Sequence, residues 1–138
     1  MRKLSEVIEN HEPLILPPPA TVRHACEAMR ERRLGATLVV DENHKLLGIF
    51  TGRDAVFRVL AEGKAAQGTR LSGVMTPVPS CLSSSRSAIE ALRLMRDGGF
   101  RHVPVVDDGK VKGVVSRADF VGIEIDRLDE ETGLWEKL

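Results

Sequence analysis

Two stretches of this chain place apolar residues at the same helical spacing. Val22, Ala25, Cys26 and Met29 fall at i, i+3, i+4 and i+7, as do Ala88, Ala91, Leu92 and Met95. That spacing lines one face of an α-helix, and it predicts helices over about 21–33 and about 87–97. Ser87-Ala88-Ile89-Glu90 has the form of a capping box at the second start, and Gly98-Gly99 supplies the stop. Short apolar runs flank both helices and predict strands at about 14–16, 37–40 and 45–50, then at about 80–82, 102–106 and 110–115. Pro17-Pro18-Pro19 closes the first of these, because proline cannot donate to a ladder. Asp41 to Lys45 and Asp107 to Lys110 read as hairpin turns, and Asp108-Gly109 is a strong turn dipeptide. A further helix is predicted from near Gly52, carrying Val56, Val59 and Leu60 inward. Another is predicted from near Arg117, with Val121 and Ile125 matching Val56 and Leu60.

The pattern is an internal repeat. Val39-Val40-Asp41 returns as Val105-Val106-Asp107, at an offset of 66 residues. Gly48-Ile49-Phe50-Thr51-Gly52-Arg53-Asp54 returns as Gly113-Val114-Val115-Ser116-Arg117-Ala118-Asp119, at an offset of 65, because the second turn is one residue shorter. The lead-ins match as well: Leu4-Ser5-Glu6-Val7-Ile8 resembles Leu71-Ser72-Gly73-Val74-Met75. Each copy reads strand, helix, strand, strand, helix, an α/β (α+β) unit. A copy of about 60 residues with a half-covered sheet is marginal alone. The two copies are therefore expected to pack through their sheets with pseudo-twofold symmetry. Along the chain this gives copy one with its lead-in over 1–62, a linker over 63–70, copy two over 71–125 and a tail over 126–138. The tail is acidic and ends in Leu134-Trp135; it reads as an extra helix, a dimer contact or a loose end.

Composition narrows the function. No run approaches the roughly 20 apolar residues that span a bilayer, and no basic start precedes an apolar segment as in a secretory signal. A cytoplasmic protein without a membrane partner is expected. The 20 basic and 20 acidic residues cancel, which argues against nucleic acid as a partner. Four Phe, one Trp and no Tyr leave few platforms for stacking bases. Cys26 and Cys81 read as small buried apolar residues in a reducing compartment. His11, His24 and His44 lack metal-ligand spacing, and Ser83-Ser84-Ser85 reads as a polar loop with no base beside it. No nucleophile, base and orienter stand at convincing spacing, so no enzyme is expected.

The pattern with chemical content is Gly-x-x-(Thr/Ser)-x-x-Asp, present twice. A strand ends and a helix begins at Thr51 and again at Ser116, where free N–H groups and a hydroxyl suit a phosphate. Asp54 and Asp119, three residues on, are placed to accept the hydroxyls of a ribose. The same spacing is also that of a plain helix cap. Arg53 and Arg117 lie inside the motifs and Arg101 and His102 at a strand entrance, as phosphate contacts or as solvated side chains.

Together with Arg101-His102-Val103-Pro104-Val105-Val106-Asp107 and Leu71-Ser72-Gly73-Val74-Met75-Thr76-Pro77, these motifs resemble the cystathionine β-synthase (CBS) domain family over about Leu4 to Ile125. The resemblance implies two tandem CBS repeats that dimerise. It also implies clefts between the copies that take AMP, ADP or ATP, and in some members NAD or S-adenosylmethionine. The adenine nucleotide is then a ligand, with no cofactor required. The family pattern gives Asp54 and Asp119 to ribose and Thr51 and Ser116 to phosphate. It sets Ile15, Leu16, Cys81 and Leu82 beside the base, and Ala36, Thr37, His102 and Val103 along the same clefts. Leu34-Gly35-Ala36-Thr37-Leu38 lacks the His-x-Pro of copy two, which makes the two sites unequal. The implied role is a regulatory sensor and homodimer acting in trans on an unidentified protein partner. The competing reading is a dimerisation or docking scaffold with no physiological nucleotide.

Overall fold

A computed structural model describes residues 2–77, 79–120 and 122–137. In chain order the helices and strands are α1 (Leu4–Val7), β1 (Ile15–Leu16), α2 (Val22–Arg32), β2 (Ala36–Val40), β3 (Leu46–Thr51) and α3 (Gly52–Asp54). A π-helical turn over Ala55–Leu60 and a 3-10 turn over Leu71–Gly73 follow. Then come β4 (Thr76–Pro77), α4 (Ala88–Gly98), β5 (His102–Asp107), β6 (Lys110–Ser116), a 3-10 turn over Arg117–Asp119, and α5 (Gly122–Lys137). The chain forms two compact units. One consists of Pro13–Pro79 with Asp108–Val111, the other of Met1–Glu12, Ser80–Asp107 and Lys112–Leu138.

The copy-one unit holds a four-stranded sheet in the order β1-β2-β3-β4. β1 runs parallel to β2, with Leu16 opposite Val39, and β2 runs antiparallel to β3, with Ala36 opposite Thr51. β2 is buried at all five positions, which is why Ala36-Thr37-Leu38-Val39-Val40 does not alternate. Val22, Ala25 and Met29 bring α2 onto Val39 and Phe50, as the helical spacing predicts. The segment after Asp54 departs from expectation. Only Val59 is buried; Val56, Phe57 and Leu60 are 50%, 60% and 72% exposed. The Ala61 N–H bonds the Val56 carbonyl and the Lys64 N–H that of Val59, five residues apart in each case. That wider winding rotates Val56 and Leu60 away from the face that holds Val59.

In the copy-two unit β5 pairs with β6, and the predicted strand at 80–82 shrinks to one parallel bridge between Leu82 and Val105. That bridge repeats the Leu16–Val39 pairing at an offset of 66 residues. Cys81 is exposed, not buried as expected, because the segment pairs only through Leu82. The Ser87 side chain does not cap α4; its hydroxyl turns to Glu90 Oε1 at 3.4 Å instead. The last helix begins at Gly122, not near Arg117, because Phe120 is extended. Val121 lies outside the described residues. The predicted tail continues α5: Leu128 is buried in the core with α4, and Arg93 donates to Glu131 at 2.6 and 3.0 Å. The side chains of Leu134 and Trp135 lie outside the described part.

The division at 62 and 71 follows the repeats along the chain, but the compact units are cut differently. Each copy's lead-in packs in the other copy's core. Leu4, Val7 and Ile8 join Leu92, Val103 and Phe120, whereas Leu71 and Val74 join Val22, Phe50 and Val59. The backbone bonds repeat too. The Val22 N–H donates to the Thr69 carbonyl and the Leu71 N–H to Ala20. In the other unit Ala88 donates to Arg2 and Leu4 to Arg86. The stretch expected as a linker is therefore structural, since Ala66 and Thr69 satisfy the first N–H groups of α2. The lead-ins lie close to the strands. A Cβ on Gly48 would meet the Thr76 carbonyl oxygen at 2.9 Å, and one on Gly113 would meet Ile8 at 3.1 Å.

α2 and α4 both end on a left-handed residue, Arg33 (φ 53°) and Gly99 (φ 70°) respectively. The conformation costs an L-residue about 1 kcal/mol and glycine almost nothing. Arg33→Gly is expected to raise stability by about that amount and Gly99→Ala to lower it by about as much, read as shifts of the urea midpoint at constant slope.

Candidate functional site

The two Gly-x-x-(Thr/Ser)-x-x-Asp motifs fold alike. In copy one Asp54 Oδ2 accepts from the Thr51 N–H at 2.9 Å and the Thr51 hydroxyl at 3.2 Å. In copy two Asp119 Oδ2 accepts from the Ser116 N–H at 2.6 Å and the Ser116 hydroxyl at 3.3 Å. Each turn is fastened to its strand entrance: Gly52 N–H donates to the Gly35 carbonyl, and Arg117 N–H to that of Arg101. The N–H groups expected to be free for phosphate are thus partly spent on the fold. What each turn leaves less committed is the second carboxylate oxygen. Asp54 Oδ1 has Arg58 Nε at 3.5 Å, and Asp119 Oδ1 has His11 Nε2 at 3.8 Å. Neither distance is that of a good hydrogen bond, so both oxygens can still accept from a diol.

The remaining predicted residues divide. The Arg53 guanidinium lies over the Phe57 ring, 5.3 Å from its centre, a cation–π contact. Arg117 Nη1 is buried with no hydrogen-bond partner. Arg101 is exposed, and His102 half-buried beside it. Burial pushes the His102 pKa down, with Arg101 acting in the same direction and Asp119 against both. Of the strand-entrance residues expected to line the site, only His102 shows a partly exposed side chain; Ala36, Thr37 and Val103 are buried. Ile15, Leu16 and Leu82 are partly buried on the first-strand segments. Burial raises the Cys26 thiol pKa. Among the described residues no three His, Cys, Asp or Glu side chains gather as metal ligands.

Three residues beside these turns are not expected at the site from the sequence: Arg2 and Arg58, and His11, which is considered there only as a metal ligand. Arg2 donates to the buried Glu124 at 2.7 Å and to the Asp119 carbonyl at 3.0 Å, holding the copy-two turn. His11 arrives with the same lead-in. Arg58 holds the carbonyls of Met75, at 3.0 Å, and Val74, at 3.4 Å. The i, i+4 spacing of Asp54 and Arg58 is a signal that could have revealed that pair. Nothing local marks Arg2 or His11, whose partners lie more than a hundred residues away.

The sequence profile of the CBS domain matches residues 4–61 and 71–125. The chain belongs to the CBS domain family. The CBS domain-containing protein CBSCBSPB1 of Arabidopsis thaliana is 37% identical over 116 residues, covering 84% of this chain. The chain spans about a fifth of the length of that relative and of others like it. The crystal structure of the CBS domain protein NE2398 superposes with a TM-score of 0.80 at 26% identity, covering 92% of this chain and 97% of that one. The CBS domain protein PAE2072 of Pyrobaculum aerophilum, complexed with AMP, shares the fold at a TM-score of 0.83 and 22% identity, with coverage of 94% and 99%.

Two predictions follow the strand entrances of these CBS repeats. The Thr37 hydroxyl is fully buried without a partner, and copy two holds Val103 at the matching position. Thr37→Val is expected to raise stability by about 1 kcal/mol, seen as a higher melting temperature. His102 carries a folded-state pKa below its unfolded value, so below about pH 6.5 the unfolded chain takes up a proton that the native chain refuses. Its contribution to stability is complete above that pH and declines as pH falls through 6.5. Urea midpoints measured from pH 8 to pH 5.5 should show that decline, and His102→Gln should flatten it.

Proposed function

We propose that this chain binds adenine nucleotides, reading the ribose with Asp54 and Asp119 and the phosphate side with Thr51 and Ser116. The supporting observation is the twice-formed turn in which one carboxylate oxygen builds the fold and the other is left with only a long contact, to Arg58 or to His11. A helix cap needs only the first oxygen. The AMP complex of a protein with the same fold points to the same ligand class, and AMP, ADP, ATP or NAD all present the ribose that such a carboxylate reads. S-adenosylmethionine presents it too, without phosphate. The binding acts as regulation of a protein partner in trans, and the site is not catalytic. Ligand binding shifts a conformational balance only by differing in affinity for the two states. The exposed Val56, Phe57 and Leu60 favour self-association, consistent with a homodimer. A docking scaffold with no nucleotide is the second reading, and the same apolar residues favour it. Among the described residues no helix is long and apolar enough to cross a membrane.

Calorimetric titration with AMP, ATP, NAD and S-adenosylmethionine tests the proposal. Saturable binding is expected for the wild type. The double variant Asp54→Asn/Asp119→Asn, which keeps amide acceptors for the turns, should bind roughly ten- to a hundredfold more weakly, the loss expected for charge-assisted hydrogen bonds. A folded wild type that binds none of the four at millimolar concentration would favour the scaffold.

A further inference from the structure

In both turns the carboxylate oxygen that the fold does not claim faces a basic side chain, and the two bases differ in kind. Asp54 Oδ1 has Arg58 Nε at 3.5 Å, and Asp119 Oδ1 has His11 Nε2 at 3.8 Å. Arginine keeps its charge at any working pH. Arg58 Nη1 is also held by the carbonyls of Val74 and Met75, so its distance from Asp54 is fixed by bonds elsewhere. His11 is held by nothing of the kind. Among the described residues its imidazole has no hydrogen-bond partner, and it is 39% exposed. It follows the turn at 8–10 and lies in no helix or strand. Reaching hydrogen-bond distance of Asp119 Oδ1 requires a movement of only about one ångström. Histidine changes charge between about pH 5 and 8. Counted from Leu4 and Leu71, the place of His11 in the other lead-in is held by Val78, which has no proton to gain.

The charged groups around this contact come from four segments. Arg2, on the lead-in, donates to the Asp119 carbonyl and to Glu124 of α5. Glu9 and Glu12 flank His11 along the chain, and Arg117 lies within the turn. Arg101 and His102 stand at the entrance of β5, where the Asp119 charge acts on His102. His11 and His102 are the two histidines of this corner, and only His11 stands within 4 Å of the carboxylate.

We propose that His11 is a residue of the Asp119 site and sets its response to pH: uncharged, it leaves Oδ1 open to a ribose hydroxyl, and protonated, it pairs with that oxygen and competes with the ligand. This rests on the nucleotide reading above and adds a proton as a rival for one of its two sites. An N–H donor that carries charge makes a stronger bond to a carboxylate than a neutral hydroxyl does. The Asp54 site has no such rival, because Arg58 neither titrates nor moves closer. Acidification therefore weakens one site of the pair and leaves the other. By reciprocity, a nucleotide entering at Asp119 below neutral pH expels a proton.

AMP titrated by calorimetry from pH 8 to pH 5.5 tests this, with thermal melts showing that each chain is folded at each pH. The phosphate of AMP itself titrates in this range, so the difference between chains is what is read. Asp54→Asn isolates the copy-two site and Asp119→Asn the copy-one site. The fall in affinity on acidification should be about fivefold steeper in Asp54→Asn than in Asp54→Asn/His11→Gln, the factor expected of a partly exposed ion pair. Adding His102→Gln in place of His11→Gln should leave the steeper fall in place. In the Asp119→Asn background His11→Gln should change nothing in the slope. Heats measured in buffers of different ionisation enthalpy should show proton release at pH 6 that His11→Gln removes. Should Asp54→Asn not fold, wild type compared with His11→Gln reads the same difference. Equal slopes with and without His11, a slope removed by His102→Gln, or tighter binding in acid that depends on His11 each overturn the inference and leave nucleotide binding intact. No AMP binding by the folded wild type at pH 8 overturns it as well, and overturns the nucleotide reading only if ATP, NAD and S-adenosylmethionine also fail.

Discussion

The first N–H groups of α2 and α4 look outside their own repeat for acceptors. Val22 finds the carbonyl of Thr69, and Ala88 finds that of Arg2. These donors would otherwise stand unpaired beside the core, a cost comparable to a lost hydrogen bond each. The same segments deliver the apolar side chains that close the cores: Leu4 is fully buried in one and Leu71 in the other. Burying one leucine contributes about 1.5–3 kcal/mol, a large part of what a unit this small can spare. Each copy is thus incomplete until the segment that begins the other copy is in place.

The candidate sites inherit this arrangement. In each unit an arginine ties the carboxylate turn to the exchanged lead-in, but from opposite ends. Arg2 sits on the lead-in and reaches the Asp119 carbonyl, whereas Arg58 sits beside Asp54 and reaches the carbonyls of Val74 and Met75. Arg2 also neutralises Glu124, which is almost fully buried. A buried carboxylate of this kind needs its partner, so the position of the N-terminal segment and the geometry of the Asp119 turn are set together.

Much of this was readable in the residues. The helical spacing of Val22 and Ala88 with their partners located α2 and α4 to within a residue or two, and the repeat placed the two Asp turns at matched positions. Local pattern failed where tertiary context decided. Val56 and Leu60 fit a helical face on paper, but the i to i+5 bonding that turns them outward leaves no mark in composition. The strand at 80–82 has the right residues, yet only Leu82 is paired. The N–H groups of the site turns looked free because the carbonyls that claim them, Gly35 and Arg101, belong to the preceding strand entrance. The lead-in exchange was the largest omission. Leu4-Ser5-Glu6-Val7-Ile8 and Leu71-Ser72-Gly73-Val74-Met75 were visible as equivalents, and equivalent segments can exchange with no change in pattern.

The exchange also orders events in time. The copy-one unit is almost one continuous stretch, Pro13 to Pro79, with only the hairpin tip 108–111 added later. It can collapse while the rest of the chain is still being synthesised, since domains fold as units from the N-terminal side. The copy-two unit must join Leu4 and Val7 to Phe120 and Leu128. Such long loops are slow to close. Leu4, Val7 and Ile8 are therefore synthesised well before the residues that bury them. Until Phe120 and Leu128 arrive, Leu4, Val7 and Ile8 lack the core that covers them in the finished fold, and an apolar stretch held open in that way is prone to aggregate.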